Sequence, residues 1–172
     1  MTKVSGIKSN EYYSVQTVNP YRKIATIENF TWFPLFDFKH DFSSTMIKSG
    51  IYVIGLKFTP YMEPQPIYIG CSKDLDGRME QHKRSNSISK YLKGVYRFFP
   101  NECLYVRFIL VEGKSNYKAL ETRLIASTIG TLNVIERDNE SIAISEERAR
   151  ASLNEMVKVY RHLVRKYRED FC

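Results

Sequence analysis

The clearest run of apolar positions begins near residue 49. "SGIYVIGLKF" (Ser49–Phe58) is continuous and rich in β-branched residues, the pattern of a strand buried on both faces. "TPYMEPQP" (Thr59–Pro66) breaks the run with three prolines and reads as a loop. "IYIG" (Ile67–Gly70) is a second short strand, so the pair predicts a hairpin with an enlarged turn. A helix is predicted from Ser72 or Asp74 to Arg84, and "ISKYLKGVYRFF" predicts another over Ile88–Phe98. "CLYVRFILVE" (Cys103–Glu112) is a third strand. "SNYKALETRLIASTIG" (Ser115–Gly130) is a helix with a Ser cap at one end and a Gly stop at the other. A last helix runs from Ser145, with Glu146 and Glu147 in its first turn, to about Arg168. Its stripe of Ala149, Leu153, Met156, Val157, Tyr160, Leu163, Val164 and Tyr167 docks on the core in preference to dimerising or binding nucleic acid.

The order β-β-α-α-β-α-α predicts an α+β domain: a small three-stranded, mainly antiparallel sheet covered by helices, with a long C-terminal helix. Residues 1–48 are expected to form an extension packed on a core of 49–137, and 138–172 an amphipathic helix. Residues 1–45 show no clean periodicity, but "FTWFPLFDF" (Phe30–Phe38) reads as an apolar clip on the main domain.

Two polar placements interrupt this pattern. On a helical wheel of about 100° per residue, Arg78 and His82 fall on the same side as Leu75 and Met79. In the helix after the third strand, Glu121 lies within the face formed by Tyr117, Leu120, Leu124 and Ile125. A carboxylate on an apolar face is costly unless a cation answers it, either an arginine or a metal ion.

Composition narrows the setting. At 172 residues and 43% hydrophobic, the chain can build a real core. It has no apolar run long enough to span a membrane, and its first residues lack the apolar stretch of a secretory signal. Three cysteines without CxxC spacing argue against a disulfide framework or a zinc finger, and fit a reducing, cytoplasmic compartment. The net charge of +7 points to a polyanionic partner. Between Arg78 and Arg97, six Lys/Arg residues face Glu80 alone. Of these, Lys83, Arg84, Lys90, Lys93 and Arg97 are candidate phosphate contacts, although a basic run is as often only a solvated helix face.

The middle of the chain resembles the GIY-YIG nuclease family. Gly50-Ile51-Tyr52 matches the first tripeptide and Tyr68-Ile69-Gly70 the second. The family arginine corresponds to Arg78, a histidine one turn later to His82, the family glutamate to Glu121 in "ALETRLI", and the asparagine after that helix to Asn133 in "TLNV". Any of these alone has an ordinary reading: a strand tyrosine, a core histidine, a surface arginine, a turn asparagine. Together, in order, they are specific. The Arg/Glu/Asn/His set is closest to the restriction-enzyme branch, although fifteen residues separate Tyr52 from Tyr68, a longer turn than in simpler members.

The resemblance implies a metal-dependent DNA endonuclease. Tyr52 would activate water, with Tyr68 its hydrogen-bond partner. Arg78 would neutralise charge on the scissile phosphate, and His82 would assist proton transfer or bind phosphate. Glu121 would hold Mg²⁺, with Mn²⁺ as substitute, and Asn133 would orient the site. Double-stranded DNA is the expected partner, and a double-strand cut would call for a homodimer. The alternatives are a nucleic-acid-binding module without turnover and a regulatory protein whose basic face meets another acidic partner.

Overall fold

The computed structural model describes residues 12–19, 22–28, 31–37, 48–84, 89–134 and 139–167. In chain order its elements are β1 (Tyr12–Asn19), β2 (Arg22–Glu28), β3 (Phe33–Pro34), β4 (Gly50–Leu56), β5 (Gln65–Ser72), α1 (Leu75–Lys83) and α2 (Lys90–Phe98). They continue with β6 (Leu104–Val111), α3 (Lys114–Ser127) and α4 (Asn139–Lys166). The mixed α+β architecture and long C-terminal helix follow the pattern of apolar positions. Phe30, Phe38, Ile88 and Arg168, which bounded predicted segments, lie outside the described residues.

β4 is buried from end to end because it is central: β5 pairs with it on one side and β6 on the other, both antiparallel. These are the three strands expected. The sheet is wider, in the order β1-β2-β6-β4-β5, with β3 also pairing to β6. The reason lies in β6, whose far edge would otherwise leave backbone donors and acceptors without partners. β2 covers that edge through Ile24–Thr26 and β3 through Phe33 and Pro34. Leu35 then donates its amide to the Leu104 carbonyl at 2.8 Å and is fully buried, so residues 31–37 do clip onto the domain. Trp32 packs so closely that a Cβ on Gly55 would strike its ring. β5 is left as a sheet edge, which is where Pro66, having no N–H to give, can be accommodated.

Alternation along β4 divides the interior. Tyr52, Ile54 and Leu56 face one cluster with Leu75 and Met79 of α1, Leu92 and Val95 of α2 and Ala149 of α4. Ile51 and Val53 face a second cluster with Ile69, Tyr117 and the partly buried Leu120, Leu124 and Ile125 of α3. α4 docks on the core through Ala149, Leu153, Met156, Val157 and Tyr160, with Leu153 packed over Gly94.

Two helix starts differ from expectation. α4 begins at Asn139, six residues before Ser145, which is a buried residue inside the helix. α3 begins at Lys114 and is preceded by Gly113 at φ 84°, a left-handed turn that glycine takes without strain. Ser115 therefore lies in the first turn and is not the cap. Asp74 and Ser89 do cap α1 and α2, accepting from the amides of Gly77 at 3.1 Å and Leu92 at 3.2 Å.

Candidate active site

The strand register assembles the tyrosine side. Tyr52 on β4 pairs with Gly70 on β5, and Ile54 pairs with Tyr68. The two tyrosines are thus diagonal neighbours, with ring centroids 6.3 Å apart. A Cβ on Gly70 would collide with the Tyr52 phenol, so this glycine is what lets the ring lie across β5. Gly50 does similar work against the Ile109 carbonyl.

From its Asp74 cap, α1 turns Leu75, Met79 and His82 inward. Arg78 is half-buried beside them; its Nε donates to Tyr52 Oη at 3.0 Å and its Nη1 to Gln81 Oε1 at 2.8 Å. His82, 1% exposed, meets the Tyr52 ring edge-on at 5.0 Å and the Tyr68 ring at 6.3 Å. Its Nδ1 lies 3.4 Å from Tyr96 Oη of α2, and its Nε2 is buried with no hydrogen-bond partner among the described residues.

Burial governs this side electrically. It pushes the His82 imidazole down to about 3, with the Arg78 charge adding to the effect, so His82 is neutral at pH 7. It raises the Tyr52 phenol above its ordinary range; Tyr68 and Glu121 add to the rise, while the hydrogen bond and charge of Arg78 oppose it. Tyr68 is raised chiefly by burial too, and Arg78 again works against the shift. The guanidinium is the group that favours phenolate on either ring.

Glu121 approaches from the other face of the sheet, on α3. Its Oε2 accepts from Cys71 Sγ at 3.0 Å, and its charge is felt by both phenols, so the two sides converge around β5. Burial, then the Glu121 bond, push the Cys71 thiol up to about 12, which keeps it protonated as the donor. Among the described residues no Lys or Arg forms an ion pair with Glu121. A carboxylate whose described hydrogen-bond partner is a neutral thiol still has its charge to offer, and this fits a divalent cation. No three His, Cys, Asp or Glu side chains converge among the described residues, so the cation would take its other ligands from phosphate and water.

Asn133 acts on the backbone. Its Oδ1 accepts from the Ile69 amide at 2.9 Å and its Nδ2 donates to the Ile69 carbonyl at 2.6 Å, while the Leu132 amide donates to the Ile67 carbonyl at 2.7 Å. The side chain satisfies the free edge of β5 between Tyr68 and Gly70.

The structure therefore brings Tyr52, Tyr68, Arg78, His82 and Glu121 together around β5, the strand that Asn133 braces. The basic residues stand apart from the chemistry. Lys90, Lys93 and Arg97 are exposed at helical spacing on α2. Lys83 is tied to Glu80 at 2.9 Å, and Arg84 lies 4.0 Å from the same carboxylate. Sequence reasoning did not single out Tyr96, Gln81 or Cys71. Only Cys71 carried a signal: two residues after Ile69 on a strand, it must share that residue's face, the face of α3.

Comparison with known proteins agrees with this geometry. No curated protein and no solved structure matches the chain. Residues 48–129, however, match the GIY-YIG catalytic domain, running from just before β4 to just past α3. Both tripeptides, the α1 arginine and histidine, and the α3 glutamate fall inside that span, and this part of the chain belongs to the GIY-YIG nuclease family.

Proposed function

We propose that the protein is a divalent-metal-dependent DNA endonuclease that hydrolyses phosphodiester bonds at the β5 edge. The observation that carries this reading is the 3.0 Å hydrogen bond from Arg78 to Tyr52, within the field of the Glu121 carboxylate, which has no ion pair among the described residues. Tyr52 is neutral at rest, and its phenol proton must first pass to solvent, a loss that the Arg78 guanidinium favours. The phenolate then takes a proton from the attacking water as the new P–O bond forms; the bond to the 3′ oxygen breaks, and that oxygen takes up a proton from solvent. Arg78 then also faces the phosphoryl oxygens, where negative charge builds. Tyr68, whose ring lies 6.3 Å from that of Tyr52, would orient the phenol and the guanidinium. His82 acts as a neutral imidazole, by hydrogen bonding and packing, and contributes no positive charge for phosphate. Glu121 would hold a divalent cation, Mg²⁺ or Mn²⁺, whose positive charge would stabilise the departing 3′ oxygen and offset the carboxylate's own field on the phenols. Asn133 keeps β5 in register. Lys90, Lys93 and Arg97, with Lys83 and Arg84, hold the flanking backbone without reading sequence. Cutting both strands of a duplex calls for two such sites and hence two copies of the chain.

The test is cleavage of supercoiled plasmid with Mg²⁺, using the wild type, Glu121→Ala and an EDTA control, with circular dichroism to confirm folding. Nicked or linear product from the wild type alone supports the reading, and the nicked-to-linear ratio reports on paired action. Cleavage that survives in folded Glu121→Ala sinks the assignment of the metal ligand. DNA binding without cleavage would favour a module that has lost turnover.

A further inference from the structure

We propose that Cys71 is a positioning residue that aims the Glu121 carboxylate at its cation, an inference that rests on Glu121 being the metal ligand. Glu121 stands on α3 and Cys71 on β5, fifty residues apart in the chain. Without a partner, a half-buried carboxylate turns about its last torsion and presents either oxygen in any direction. The Cys71 thiol holds Oε2 at 3.0 Å and leaves the other oxygen to the cation. It does so without a charge of its own, so the carboxylate keeps the full negative charge that an arginine or lysine in that place would cancel.

The position of the donor matters as much as its chemistry. Cys71 directly follows Gly70, which accommodates the Tyr52 ring, and stands three residues after Tyr68. It pairs across the sheet with Ile51, a fully buried residue next to Tyr52. A single short stretch of β5 thereby sets both the tyrosine geometry and the carboxylate orientation. Asn133 secures that stretch at Ile69. The arrangement matches what outer hydrogen-bond partners of metal-binding side chains commonly do, where their loss weakens metal binding about 10- to 100-fold.

The experiment is Mn²⁺ binding to the full-length protein, followed by electron paramagnetic resonance of the free ion. Wild type, Cys71→Ala, Cys71→Val and Cys71→Ser are each compared with Glu121→Gln. Alanine and valine remove the donor in a small and a near-isosteric form, so a folding failure in one leaves the other; serine retains a donor. The expected result is a site lost in Glu121→Gln, weakened about tenfold or more in the alanine and valine variants, and within about threefold of wild type in the serine variant. The Mg²⁺ concentration for half-maximal plasmid cleavage should move in parallel, with most of the rate regained at saturating Mg²⁺. Binding unchanged in the alanine and valine variants, or equally poor in serine and alanine, overturns the positioning role. Mn²⁺ bound as tightly by Glu121→Gln as by wild type overturns it differently, by showing that Glu121 is not the ligand.

Discussion

The two flanks of β5 hold polar, titratable side chains under opposite conditions. On the α1 flank, Tyr52 and His82 are each 1% exposed, and burial dominates their protonation: the phenol is held neutral and so is the imidazole. On the α3 flank, Glu121 and Cys71 are only half-buried and joined by one hydrogen bond. The difference is instructive. The dry flank sets proton positions and fixes ring geometry, with Arg78 as the one cation among the described residues placed against the phenols. The open flank keeps a negative charge accessible to a cation from solution. The proposed hydrolysis would draw on both, across the narrow edge strand.

Removing the cation of the dry flank should have the largest effect. Arg78→Ala is expected to lower the cleavage rate about 10²- to 10³-fold, and Arg78→Lys to recover little of it, because a lysine lacks the fork that bonds Tyr52 and faces phosphate together. Single-turnover cleavage of a plasmid measures this; a loss below about tenfold would mean that the reacting side is not the tyrosine side.

The next effect is on acid stability. In the folded protein His82 takes up its proton near pH 3, against an ordinary 6.5 in the unfolded chain. The unfolded state therefore binds more protons between these values, and stability falls as pH drops below 6.5, by about 1.4 kcal/mol per unit. From pH 7 to pH 5 the wild type should lose about 2 kcal/mol that His82→Phe does not lose. Urea midpoints at the two pH values decide it, and equal losses in both proteins would deny that burial controls this flank.

Loosening the strand between the flanks should matter less. Asn133→Ala removes two hydrogen bonds to Ile69, each worth on the order of 1 kcal/mol. Hydrogen exchange at the Ile69 amide should accelerate relative to β4 amides; unchanged protection would show that β5 is held without the clamp. The smallest effect belongs to the exposed stripe on α2. Lys93→Ala or Arg97→Ala should weaken DNA binding evenly across sequences and lower the slope of log affinity against log salt by about one each. Titrations at several salt concentrations report it, and an unchanged slope would remove that residue from the interface.

Much of the dry flank was legible in the sequence because it is local. Gly50-Ile51-Tyr52 and Tyr68-Ile69-Gly70 declare two strands, and the inward placement of Arg78 and His82 follows from helical spacing. Glu121 stood out because a carboxylate among Tyr117, Leu120, Leu124 and Ile125 required an explanation. What escaped was what depends on meeting across distance. That Tyr96 reaches His82 is decided by the packing of α2 on α1, and no periodicity encodes it. That Cys71 meets Glu121 needs both the strand register and the docking of α3. The wider sheet escaped for a similar reason: β1 and β2 carry no clean alternation of their own, and β2 is placed by pairing to β6 and β1 by pairing to β2. The start of α3 turned on a backbone angle at Gly113, which a nearby serine disguised as a cap.

The bond between Asn133 and Ile69 has a consequence for how the protein is made. It joins residues 64 positions apart, and so does not exist while the chain is still being extended past β5. A growing polypeptide that already contains Tyr52, Tyr68, Arg78 and His82 still lacks the brace on β5. It lacks the α3 carboxylate as well. Contacts of such long range form late, after the loop between them has closed. The alignment of the tyrosine side with the Glu121 side is thereby deferred until synthesis has passed residue 133.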